Sequence, residues 1–297
     1  VNLNILLRGQ SNAIILGEQL NDAGVQAIVA EVQRLLGFDG VTDTVTLDFD
    51  FTDPAGNNTA AGGTGLLGDW LLPVNGDWQQ GWTVNFLEQG LLNYINDDIS
   101  AARKGDPTAV VWLHSEYDSA RGSLTAAEWE SAVRFDAALV RQAFGRNDIP
   151  YIFVDPVPYG PGTDAGTQAI RLGMQTLAAD PTFGARIGAQ ATDLDMNDTF
   201  YGGSGGHMSS QDALTVAQRT ARTLAELWAP YALEGSPVDL AGGDLDNTGP
   251  LAVQASQVGE RQLSVSFTFD QADGFGMLDA DAAAGLGWSV RAGNTVV

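Results

Sequence analysis

Short apolar runs alternate with helix-spaced segments from Leu3 to Leu227, and this alternation constrains the fold more than any other feature of the chain. Leu3–Leu7, Ala109–Leu113 and Tyr151–Val154 are too short and too uniformly apolar for amphipathic helices and read as buried strands. Thr44–Phe51 places Val45, Leu47, Phe49 and Phe51 at period two, and Ile187–Thr192 closes the series of strands. Between them Ala23–Leu36, Val84–Ile95, Leu124–Phe144, Ala165–Ala179 and Ser210–Leu227 repeat apolar residues at three and four, the spacing of one helix face. Thr125 and Ser209 or Ser210 stand where helix caps are wanted. Strand and helix in strict alternation predict a parallel sheet with helices on both faces. Such sheets bind ligands at the carboxyl ends of their strands.

The texture changes after Pro230. Leu240–Gly249 is a Gly/Asp/Asn linker. Leu251–Ala255, Gln262–Phe269 and Leu286–Val290 then follow as strand segments without an amphipathic helix. We read residues 1–232 as an α/β domain, and 233–297 as a linker with a small antiparallel β appendage that Val297 cuts short. Upstream, Pro54–Gly68 is a long Gly/Asn/Thr loop, of the kind that is usually functional or mobile.

The first strand runs into Gly9-Gln10-Ser11-Asn12. Gly9 allows a sharp turn, and Ser11 then stands on rigid backbone at the carboxyl edge of the sheet, as a serine nucleophile requires. Ser and Asn are also favoured helix caps, so the tetrad alone leaves both readings open. A serine nucleophile needs a base, and the chain holds only two histidines, His114 and His207. His207 lies in Gly205-Gly206-His207-Met208-Ser209, directly before the last helix of the α/β unit. His114 falls in Trp112-Leu113-His114-Ser115-Glu116-Tyr117-Asp118, at the end of a strand. A strand-end histidine is more often structural than basic. Glu116 and Asp118 are site carboxylates or strand-end turn residues. Arg8, directly before the tetrad, calls for a buried carboxylate partner or a substrate contact.

On these motifs the chain resembles the SGNH hydrolases, in their sialate-type carbohydrate O-acetylesterase branch. The likeness extends from Val1 to about Leu227. It implies a three-layer α/β/α, flavodoxin-like fold and a carboxylic ester hydrolase that removes O-acetyl groups from a carbohydrate without a cofactor. It implies Ser11 as nucleophile and His207 as general base. It also implies an oxyanion hole formed by the backbone of Ser11 with Gly81, from Gly81-Trp82-Thr83-Val84-Asn85, and with Asn12 nearby. The family's aspartate three residues before the histidine is replaced by Ser204. The third member is then a backbone carbonyl or another carboxylate, with Asp195, Asp198 and Glu116 in view. Tyr117 replaces the Asn that donates to the oxyanion in the wider superfamily. These departures keep two alternatives open: a degenerate domain that binds glycans or serves as a surface module, and a lipase or thioesterase of the same superfamily. Trp70, Trp78 and Trp82 form either an aromatic wall against sugar faces or part of the core.

Charge and composition remove other classes. Lys and Arg total 14 against 37 Asp and Glu, a formal charge of -23, which repels nucleic acid and anionic membranes. No run approaches the roughly 20 apolar residues of a membrane span. The absence of cysteine removes disulfides and thiolate chemistry. Asp193-x-Asp195-x-Asn197-Asp198 and Asp244-x-Asp246-Asn247 resemble half of a calcium loop, the first with Asp198 where the loop wants its sixth-position Gly, and surface turns are the preferred reading over calcium sites. The chain begins directly on a strand with no signal peptide, and we expect a secreted bacterial protein in its trimmed form.

Overall fold

The computed structural model describes residues 1–19, 23–155, 161–189, 206–245, 251–260, 262–268, 291–292 and 295–296. Its centre is a sheet of five parallel strands: β1 (Asn2–Gly9), β2 (Thr44–Asp48), β5 (Thr108–Leu113), β6 (Tyr151–Val154) and β7 (Ala185–Ala189). Their order is β2-β1-β5-β6-β7, the flavodoxin-like order in which the chain crosses once from one side of β1 to the other. That crossing puts the carboxyl ends of β1 and β5 side by side, with Gly9 paired to Leu113.

Alternation along the strands divides the core in two. Leu3, Ile5 and Leu7 of β1 with Ala109, Val111 and Leu113 of β5 face one layer. Leu6, Val110 and Trp112 face the other. The first layer is covered by α2 (Ala23–Leu36) and α7 (Ser210–Leu227), the second by α3 (Phe86–Asn93), α5 (Ala126–Phe144) and α6 (Asp164–Ala179). This is the expected three-layer α/β/α arrangement. Short helices α1 (Ser11–Ile14), α4 (Ala101–Lys104) and α8 (Pro237–Leu240) complete the unit. Caps fall where the sequence places them. Thr125 Oγ1 accepts from Glu128 N–H at 3.2 Å, and Ser209 Oγ accepts from Asp212 N–H at 3.1 Å.

Three differences from the sequence reading have physical causes. Val84 belongs to a strand, not a helix: β3 (Leu71–Pro73) and β4 (Trp82–Val84) form an antiparallel hairpin. Helix α3 starts only after Asn85, whose side chain accepts from Phe86 N–H. The last sheet strand, β7, ends at Ala189 rather than Thr192. The α/β unit also runs further than residue 232. The chain forms two compact units, Val1–Asn247 and Thr248–Val297. Residues past 232 stay with the first unit because Leu233 N–H donates to Leu36 O at 2.9 Å and Val238 enters the core beside α2 and α7.

In the second unit β8 (Leu251–Gly259) and β9 (Gln262–Thr268) form an antiparallel hairpin, and β10 (Arg291–Ala292) pairs antiparallel with β11 (Thr295–Val296). The expected strand at Leu286–Val290 lies outside the described residues. Among the described residues no helix is long and apolar enough to cross a membrane.

Candidate active site

The site begins with a glycine that nothing else can replace. Gly9 ends β1, and its N–H and C=O pair with Thr59 O and Ala61 N–H at 3.2 and 3.1 Å. A Cβ at Gly9 would overlap the Leu113 carbonyl and sit 2.9 Å from the Ala13 Cβ. The chain then turns at once into α1, with Gln10 N–H donating to Leu113 O at 3.1 Å. Gln10 makes no side-chain cap. Ser11 is therefore the first residue of a helical turn, half-buried, and its N–H is one of those a helix leaves without an intrahelical partner.

His207 arrives from the opposite end of the sequence, just ahead of α7. Its Nε2 lies 3.0 Å from Ser11 Oγ, within hydrogen-bond reach. The two residues are 196 positions apart, so only the parallel sheet, with α7 packed back on it beside α2, brings them together. A serine hydroxyl in contact with an imidazole has the geometry to give up its proton while attacking an electrophilic carbon.

Among the described residues, Glu116 binds the serine turn and not the imidazole. It is almost fully buried and braces the serine turn from below. Gln10 Nε2 donates to Glu116 Oε2 at 2.5 Å, Asn12 Nδ2 to Glu116 Oε1 at 3.2 Å, and Ser115 N–H to Glu116 Oε2 at 3.2 Å. Asp118 serves a different segment. Its carboxylate accepts from Leu66 N–H at 2.9 Å and Leu67 N–H at 3.2 Å, which ties down the end of the long loop. Burial pushes Asp118 up to about 7, against the pull of those two N–H donors. Asp195, Asp198 and Ser204 lie outside the described residues. Among the described residues no group of three or more His, Asp or Glu side chains gathers as a metal site would require.

Two expected oxyanion groups are engaged elsewhere. The Gly81 N–H donates to Trp78 O at 3.0 Å, closing a tight turn in the β3–β4 hairpin. The glycine is there for its backbone conformation, φ 109°, and that N–H is not available to an oxyanion. Asn12 is fully buried, and its amide is spent on Glu116, on Gly206 O at 3.3 Å and on Met208 N–H at 3.1 Å. The sequence segment that does run beside Gly9 is Thr59–Ala61, in the Pro54–Gly68 loop.

The aromatic wall dissolves on inspection of burial. Trp70 and Trp82 are core residues, with Trp70 Nε1 donating to Thr64 Oγ1 and Trp82 Nε1 to Ser131 Oγ, each at 3.0 Å. Only Trp78 is part-exposed. Arg8 has the buried carboxylate partner its position calls for. Its guanidinium pairs with Asp136 of α5, stands 3.8 Å from Glu88 of α3, and is stacked 4.8 and 4.5 Å from the Trp70 and Trp112 rings. His114 belongs to the same cluster, with Nδ1 3.2 Å from Arg8 Nη2. Since arginine only donates, Nδ1 is the acceptor nitrogen of a neutral ring. Burial, then the Arg8 charge, holds His114 well below the ordinary histidine range. His114 is structural. Gln10 was missed as a site residue, although its place inside the tetrad was the available signal.

No protein-family model matches the sequence, and no curated protein is significantly similar to it. Solved structures do resemble it. A carbohydrate acetylesterase from Xanthomonas citri superposes with a TM-score of 0.50 at 13% identity, over 90% of this chain and 63% of that one, so the match spans less than two thirds of the relative's length. A psychrotrophic esterase from a Pseudoalteromonas species overlaps 76% of this chain and 98% of its own at 12% identity, with a TM-score of 0.44. A carbohydrate esterase family 3 protein from Talaromyces cellulolyticus overlaps 77% and 99% at 15% identity, with a TM-score of 0.40. At such identities the Xanthomonas match speaks to the fold, which this chain shares.

Proposed function

We propose that the protein is a serine esterase that removes O-acetyl groups from a carbohydrate. The observation that carries this reading is the 3.0 Å approach of His207 Nε2 to Ser11 Oγ at the carboxyl edge of the parallel sheet. Ser11 Oγ attacks the ester carbonyl as His207 takes its proton. The backbone N–H of Ser11 donates to the oxyanion that forms. His207 then returns the proton to the departing sugar oxygen, leaving an acetyl-enzyme. A water deprotonated by the same imidazole hydrolyses it and frees acetate. The fold is shared with a carbohydrate acetylesterase, at a TM-score of 0.50, which supports the choice of ester and of sugar. The acidic surface, with a formal charge of -23, favours a neutral glycan over a polyanionic one.

Aryl acetates need little recognition beyond the acetyl group, so they test the chemistry alone. We expect turnover at pH 7–8 that is lost in Ser11→Ala and in His207→Ala and is insensitive to chelators. Acetate release from a panel of acetylated glycans then reads the sugar. Wild-type turnover no greater than that of Ser11→Ala would remove the esterase reading and leave the glycan-binding one.

A further inference from the structure

Nucleophile and base are joined by a second route besides their mutual hydrogen bond. Asn12 follows Ser11 in the chain, and its side chain holds the two peptides that flank His207. Nδ2 donates to Gly206 O at 3.3 Å, and Oδ1 accepts from Met208 N–H at 3.1 Å. The remaining Nδ2 hydrogen goes to Glu116 Oε1 at 3.2 Å. All of the groups are buried, Asn12 and Met208 at 0% exposure and Glu116 at 2%. The amide can point only one way. Flipped, it would aim its NH2 at the Met208 N–H and its oxygen at a carboxylate and a carbonyl. No other side chain of this size supplies two donors and an acceptor. Aspartate has no donor when ionised, and an apolar residue would leave the Met208 N–H and the Gly206 carbonyl without these partners.

We propose that Asn12 is a positioning residue for His207, with Glu116 as the buried anchor that sets the amide's orientation. It fixes the base through its backbone rather than through its ring. The inference rests on Ser11 and His207 acting as nucleophile and base. The Glu116 carboxylate thus reaches the reaction at second hand. It holds Gln10 and Asn12 on either side of Ser11, and through Asn12 it holds the histidine segment. One buried carboxylate sets the register of both reacting groups. A displacement of about 1 Å in such a pair is enough to cost roughly 10²-fold in rate.

The test uses the full chain, aryl acetate turnover, and hydrogen exchange at the Met208 amide read by NMR. In Asn12→Ala we expect kcat to fall about 10²-fold with KM within about threefold of wild type, since the loss falls on the reacting geometry and not on substrate binding. The Met208 amide should exchange faster, because its acceptor is gone, while the remaining fold stays protected. Glu116→Ala should lose kcat in the same sense, and Glu116→Gln should recover part of it, because its amide oxygen still accepts from Asn12 while its NH2 meets the Gln10 and Ser115 donors. This second pair also serves if Asn12→Ala does not fold. Wild-type kcat in Asn12→Ala overturns the proposal. So does a loss of kcat with Met208 exchange unchanged, which would put Asn12 on the substrate instead. Wild-type protein without Ser11-dependent turnover removes the esterase reading and this inference together, an outcome distinct from an active enzyme indifferent to Asn12.

Discussion

At the scale of single residues, Arg8 sets the terms for the ground beneath the site. A guanidinium at 0% exposure is tolerated only with its charge answered, and Asp136 and Glu88 answer it from two different helices. The indole faces of Trp70 and Trp112 add cation–π attraction. Tyr151 Oη donates to Asp136 Oδ1 at 3.1 Å, so that carboxylate is held as well. Glu88 is less well served. Burial pushes its carboxyl above the ordinary range, and only the Arg8 charge opposes the shift. Removing the arginine leaves the acids buried and unpaired. Arg8→Met should therefore destabilise the fold by about 3–5 kcal/mol, measured by chemical denaturation. The double variant Arg8→Met with Asp136→Asn should recover part of that loss, because it buries one charge fewer. A single variant as stable as wild type would mean that the cluster contributes nothing net.

Among the elements, the loop between β2 and β3 is the part whose role depends on tertiary contacts. It is tied at Gly9 by Thr59 and Ala61, and at its far end by Asp118. Asp118 titrates at about 7 in the fold, above its ordinary value near 4. A raised carboxyl pKa means that the folded state holds the proton longer than the unfolded chain. The stabilising contribution is complete below about 4 and is lost as pH rises through about 7. Asp118→Asn cannot titrate, and it loses an acceptor for one of the two loop N–H groups. It should be less stable than wild type by about 1–3 kcal/mol, with the gap widest near pH 4 and narrowing towards pH 8. Denaturation midpoints across that range check the sign, and a gap that widens with pH would reverse it. The element scale also shows what was legible in the sequence. Strands β1, β5 and β6 and helices α2, α5 and α7 follow from periodicity, because each is long or apolar enough to carry its own pattern. The β3–β4 hairpin does not. Its strands are three residues each, one ends on Pro73, and their pairing is set by contacts that no local pattern records. That is why Gly81, a glycine just upstream of a helix, reads as an oxyanion donor when it is a turn residue. Ser11 and His207 were legible because their motifs sit at element ends. The partners of Asn12 were not, since they are the backbone groups of Gly206 and Met208, which no side-chain motif records.

For the whole molecule, the question is where the α/β unit ends. The composition shift after Pro230 suggests a boundary near 232, yet the chain continues to pack on the α/β unit. Leu233 N–H is bound to Leu36 O, and Leu245 N–H donates to Glu226 Oε1 of α7 at 2.6 Å. Between them Ser236 caps α8, and Val238 is wholly buried against the layer of α2 and α7. This segment reads as linker because it is rich in Gly and Asp, but one buried valine and its hydrogen bonds fasten it. Full burial of such a side chain is worth about 1.5–3 kcal/mol, and the segment covers the outer end of α2 as well. Among the described residues, the elements that bring Ser11 to His207 lie before residue 247: β1, α1, β5 and α7, with the Glu116 brace. A chain ending at 247 should therefore keep its aryl-acetate kcat and its melting temperature close to those of the full chain. A chain ending at 232 should melt several degrees lower, since it uncovers the core under Val238. Thermal melts and initial rates on the three lengths decide the matter. Loss of activity on cutting at 247 would assign the β-rich unit a part in catalysis. A 232-residue chain as stable as the longer two would return the boundary to the compositional break.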